Sequence, residues 1–129
     1  MKYSNIKKIT TGPFEENCYL IYDKEKSDAV LIDPGDNENL IDSYIIKNDL
    51  SLLAIINTHA HLDHIGAISF FQNKYNKGFY LHLNEKKILD YYEESCKLFG
   101  INPKPKPTVT KWLDSESILN FNDLKFKTI

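Results

Sequence analysis

The sequence contains no arginine, and all sixteen of its basic residues are lysines. That removes the side chain best shaped for bidentate phosphate recognition. With a net charge of −2 and a pI near 6.1, no basic field exists to gather nucleic acid or anionic lipid. Cysteine is scarce as well: Cys18 and Cys96 lie 78 positions apart, with no CxxC or zinc-ribbon spacing. Two buried free thiols in a reducing compartment are expected rather than a disulfide. No apolar run approaches membrane-spanning length, the longest being "LLAII". The opening "MKYSNIKKITTGPF" lacks the apolar core of a secretory leader. A cytoplasmic protein with no membrane or nucleic-acid partner is expected.

What is present suits one soluble globular domain over residues 1–129, with 42% hydrophobic and 26% charged residues. No repeat or low-complexity tract divides it. "NCYLIYD" (17–23) and "DAVLIDPG" (28–35) read as a β-hairpin whose second strand is buried on both faces. Asp36-Asn37 offers a helix start, and Leu40, Ile41, Tyr44, Ile45 and Leu50 keep a helical spacing behind it. "LLAIINT" (52–58) is a strand, and a second helix is predicted from about Ile65 through Tyr75. "GFYLHL" (78–83) is the next strand, followed by a third helix capped by Asn84 and stopped by Gly100. "NPKPKP" (102–107) cannot be a central strand. "ESILNF" turns at Asn122-Asp123 into "LKFKTI", which reads as a strand cut in mid-course at Ile129. Strands alternating with helices give an α/β architecture.

The chain has four histidines, and three of them, His59, His61 and His64, fall within "NTHAHLDHIGA" (57–67) together with Asp63. Neutral imidazoles and carboxylates are ligands of choice for zinc and similar divalent ions. His59 and His61 are two apart, so in extended chain both rings point to one side. Asp63 and His64 are adjacent and can face a second ion if the chain turns into a helix there. The spacing therefore predicts two donors for each of two ions, at the C-terminal end of a strand where open α/β sheets place ligands. A lone histidine such as His82 is more often structural than functional.

"THAHLDH" resembles the HxHxDH signature of the metallo-β-lactamase-fold hydrolases, and "GPFEENCYLIYD" and "AVLIDPGD" look like that superfamily's opening strands and DPG turn. The resemblance is closest to small proteins similar to glyoxalase II (hydroxyacylglutathione hydrolase). It implies an αββα sandwich, of which this chain supplies the first half and the start of the second. It implies that His59 and His61 bind one metal and Asp63 and His64 another, with Asp63 as the candidate catalytic residue. Asp33 would support the metal loops from behind, although the sequence alone favours a turn-initiating aspartate before Pro34-Gly35. The cofactor implied is Zn²⁺, two ions in the complete site, with iron or manganese as other occupants. In such enzymes a hydroxide held between the ions attacks a carbonyl, here of a small-molecule thioester.

Departures bear on these expectations. The histidine of an "HTPGH"-like segment, a bridging aspartate and a last histidine have no counterpart in this sequence. Ala60 stands where glyoxalase II itself tends to carry histidine. His64 directly after Asp63 argues against the antibiotic-degrading β-lactamases, and His61 against the flavodiiron branch. Competing expectations are a non-catalytic module binding a metal or a partner, a phosphodiesterase or ribonuclease relative, and a persulfide dioxygenase relative using one iron.

Overall fold

The computed structural model describes residues 4–128. Six strands form one sheet in the order β1-β2-β3-β4-β5-β6. β1 (Ser4–Thr11), β2 (Glu16–Asp23) and β3 (Asp28–Ile32) pair antiparallel. β4 (Ser51–Ile56), β5 (Phe79–His82) and β6 (Lys111–Leu113) continue the sheet in parallel from β3. A separate hairpin, β7 (Ile118–Phe121) with β8 (Leu124–Lys127), turns at Asn122, whose φ is +56°. β8 ends at Lys127, short of the expected strand to Ile129, which itself lies outside the described residues.

Period-2 alternation assigns the two faces. Leu20, Ala29, Leu31, Ile55, Phe79 and Leu81 point to one side and share a core with helical Ile41, Ile45, Ile65, Ile68, Phe71, Leu89 and Tyr92. Val30 and Ala54 point to the other side, where Leu124 of β8 packs on them, flanked by Ile32, Ile56, Tyr80, Phe121 and Phe126. Each fully buried Leu, Ile or Phe contributes about 1.5–3 kcal/mol. The layers are therefore helices, sheet and hairpin, consistent with the expected α/β fold. The described residues do not form the sandwich's fourth layer.

Several boundaries differ from the sequence expectation. β1 gave no period-2 signal because its isoleucines are three apart: Ile9 is buried while Ile6 is 68% exposed. β6 is only three residues long, too short for any periodicity. α1 (Glu38–Lys47) starts where expected, yet Leu40 is exposed and Asn37 makes no side-chain cap. Asn37 instead takes a left-handed conformation and accepts a hydrogen bond from Gly12 N at 2.7 Å.

The expected second helix divides into α2 (Leu62–Ile65) and α3 (Ile68–Tyr75). Ala67 N donates outside the helix, to Pro34 O at 2.9 Å. The third helix also divides, into a 3-10 turn at Leu83–Glu85, α4 (Lys86–Asp90) and α5 (Tyr92–Leu98). Its cap is not Asn84: the His82 ring accepts from Asn84 N at 3.1 Å. Gly100, at φ +66°, does end α5's turn. Cys18 and Cys96 are free and buried. Among the described residues no helix is long and apolar enough to cross a membrane.

Candidate metal centre

β3 and β4 run parallel with Ile32 beside Ile56, so their C-terminal ends open side by side. Beyond them Asp33 takes a left-handed conformation at φ +55°, which aspartate tolerates better than most residues. Its backbone N donates to Asn57 Oδ1 at 3.2 Å. Its carboxylate accepts from Thr58 N at 2.7 Å and from Thr58 Oγ1. Asn57, 4% exposed, spans the loop from below: Nδ2 donates to His59 O at 3.0 Å and to His64 O at 2.6 Å. Both ends of the histidine loop are thus fastened to one buried amide.

Two imidazoles have one nitrogen committed. The single hydroxyl proton of Thr58 goes to Asp33, so Thr58 Oγ1, 2.9 Å from His59 Nδ1, accepts from that ring. His64 Nδ1 lies 3.1 Å from Asp33 Oδ2 and 3.2 Å from Glu16 Oε1. A proton on each Nδ1 leaves each Nε2 with a free lone pair. His64 Nε2 is 3.8 Å from Asp63 Oδ2. The His59 ring centroid is 5.1 Å from that of His64 and 5.9 Å from that of His61. His61 is exposed and opens α2 with extended backbone.

Among the described residues, one donor atom each from Asp33, His59 and His64 lies within 4.8 Å of the others, a group that includes neither His61 nor Asp63. Asp33 is already occupied by Thr58 and His64, which suits an orienting role better than direct ligation. The surroundings favour a cation. Burial pushes the Glu16 carboxyl up to about 8, Asp33 adds to this, a Thr11 hydrogen bond opposes it, and Asp63 raises it further. Glu16 Oε1 is buried without a hydrogen-bond partner. Clustered carboxylates, two imidazoles with free Nε2 lone pairs and an unsatisfied buried acceptor together fit a divalent ion.

Small residues let the chain converge here. A Cβ on Gly35 would reach 1.8 Å from Asp63 O, and one on Gly66 would reach 2.2 Å from Gly35 O. Glu85 Oε1 accepts from Ala60 N at 3.0 Å, holding the loop between His59 and His61. A cleft of about 260 Å³ lined by Phe14, His61, Leu62, Asp63, Ser95 and Phe99 opens beside the loop. A larger one of about 550 Å³, which His82 helps to line, lies toward the hairpin.

Glu16, Asn57, Thr58 and Glu85 also serve the site, although no motif marks them. Asn57 and Thr58 were visible as polar residues closing an apolar strand. Glu16 and Glu85 lie far along the chain and gave no such signal.

Residues 11–128 match the Metallo-beta-lactamase superfamily. The hydroxyacylglutathione hydrolase GloC of Haemophilus influenzae is 29% identical over 127 residues, covering 97% of this chain and 59% of its own length. The crystal structure of the BLEG-1 B3 metallo-beta-lactamase superposes with a TM-score of 0.84 at 30% identity, covering 95% of this chain and 59% of that one. TTHA1623 in a di-iron-bound form gives a TM-score of 0.77 at 32% identity, with 88% and 56% covered. The chain spans 58–59% of the length of the curated relatives it matches first. A histidine loop at the ends of two parallel strands, joined to this match over nearly every residue, leads to one conclusion. The chain belongs to the metallo-beta-lactamase superfamily.

Proposed function

We propose that this chain carries the metal-binding part of a metal-dependent hydrolase acting on a small-molecule thioester of the hydroxyacylglutathione kind. The observation that carries the reading is the pair of imidazoles, His59 and His64, each with Nδ1 committed and Nε2 free, the Nε2 of His64 lying 3.8 Å from Asp63 Oδ2. In this reading His59 and His61 hold one ion, Asp63 and His64 hold another, and Asp33 orients His64 and Thr58. Bound there, a divalent ion supplies Lewis-acid polarisation of a carbonyl and a water nucleophile at neutral pH. Asn57 and Thr58 keep the loop preorganised, so little rearrangement precedes binding.

GloC's name supports the thioester, and the di-iron form of TTHA1623 keeps iron beside zinc as an occupant. The B3 metallo-beta-lactamase likeness favours lactam hydrolysis as the second reading. The absence of arginine argues against a phosphodiester substrate or a nucleic-acid partner. Two buried free thiols suit a cytoplasmic setting.

Elemental analysis of the purified protein, followed by parallel assays with a hydroxyacylglutathione, a penicillin and a phosphodiester, tests the proposal. Turnover of the thioester alone is expected. Turnover of the penicillin instead replaces it with the second reading, and metal binding without any turnover replaces it with a non-catalytic module.

A further inference from the structure

We propose that Glu16 is a positioning residue for the metal site. Together with Asp33 it holds the Nδ1 side of His64, so that Nε2 is aimed at Asp63. The inference rests on the reading of His64 as a metal ligand. Glu16 opens β2 and reaches the loop from two strands away. Its side chain is 4% exposed, and Oε1 lies 3.2 Å from His64 Nδ1. Thr11 Oγ1 donates to Oε2 at 3.3 Å, which leaves Oε1 with no hydrogen-bond partner among the described residues.

His64 Nδ1 carries one hydrogen and faces two carboxylates. Asp33 Oδ2 already accepts from Thr58 Oγ1, whereas Glu16 Oε1 has its full accepting capacity unused. A buried carboxylate oxygen without a donor is costly, and the imidazole is the group near enough to relieve it. The backbone makes room for this approach: a Cβ on Gly35 would come 2.9 Å from Glu16 Oε2. Asp33 Oδ2 accepts the Nδ1–H, and Glu16 Oε1, 3.2 Å from the same nitrogen, favours the tautomer with the proton there, which leaves the Nε2 lone pair free. Chain-packing alone would call for an apolar side chain here, as at neighbouring Cys18 and Leu20, which are wholly buried on the same strand face.

Two substitutions in the full chain separate positioning from packing. Glu16→Met keeps the volume and accepts nothing, while Glu16→Gln keeps an accepting oxygen; Glu16→Ala replaces Met if that variant does not fold. Long-range ¹H–¹⁵N NMR of the metal-free protein reads the His64 tautomer, and calorimetry with Zn²⁺ alone reads affinity. Glu16→Met is expected to mix the His64 tautomers and weaken Zn²⁺ binding about 10-fold, with Glu16→Gln restoring affinity to within about threefold. A folded Met or Ala variant with parental tautomer and affinity overturns the proposal, as does a Gln variant no better than Met. Should the parent bind no Zn²⁺, the metal reading fails, and the tautomer comparison still decides whether Glu16 positions His64.

Discussion

Gly35 and Asp63 meet backbone to backbone, so closely that a Cβ on Gly35 would lie 1.8 Å from the Asp63 carbonyl oxygen. Neither partner is the end of a flexible side chain, so relief requires moving the strand end or the loop. Gly35→Ala is expected to cost about 2–3 kcal/mol and to weaken metal binding, because the loop that yields carries Asp63 and His64. Urea unfolding and a Zn²⁺ titration check this. Parental values in both would mean the two backbones are not packed as described.

Asp33→Asn isolates the anchoring carboxylate. Asparagine accepts the left-handed conformation at this position, so the fold is expected to survive. The amide cannot receive Thr58 N, Thr58 Oγ1 and His64 Nδ1 together, as the carboxylate does. Metal affinity should fall about 10–100-fold, measured by calorimetry on a variant with unchanged circular dichroism.

His61 offers the opposite case. It is exposed, so His61→Ala should change stability by no more than about 0.5 kcal/mol. Metal content by elemental analysis should nonetheless drop, since one of the two imidazoles proposed for the first ion is gone. Equal zinc in variant and parent would remove His61 from the ligand set.

Glu16 predicts an inverted pH dependence for the metal-free protein. Its carboxyl titrates near 8 in the fold, against 4.5 for the free side chain. Below both values the folded and unfolded chains are equally protonated there, and nothing is lost. As pH rises from 4.5 toward 8, only the unfolded chain releases the proton, so stability falls by up to about 1.4 kcal/mol per pH unit. Urea midpoints at pH 5, 6.5 and 8 in the presence of a chelator should decline, and Glu16→Gln should flatten the trend. An equal slope in both proteins would assign it to other groups.

Legibility in the sequence followed local contrast. β2, β3, β4 and β5 announced themselves through β-branched and aromatic runs bounded by turn residues, and Gly100 and Asn122 marked real chain reversals. β1 did not, because one side of its edge position leaves Ile6 exposed and spoils the alternation. The second helix broke where a tertiary hydrogen bond outcompeted a helical one, Ala67 N being drawn to Pro34 O, and the third opens on a local cap in which the His82 ring takes Asn84 N. At the site, three histidines and an aspartate were plain because they are neighbours in sequence. Glu16 could not be foreseen, since nothing near residue 16 shows that its carboxyl reaches a ring 48 positions away.

That neighbourliness has a thermodynamic consequence. The four proposed donors lie between His59 and His64, so an unfolded chain still presents them to an ion within one short loop. A ligand stabilises a fold only by the difference between its affinities for the folded and unfolded chains. Much of the intrinsic affinity of the histidine stretch therefore cancels from the melting temperature. What remains is the share contributed by Asp33, Glu16, Asn57 and Thr58, which address the loop only after the strands have paired. The gain in melting temperature on adding metal thus measures the supporting residues rather than the ligands themselves.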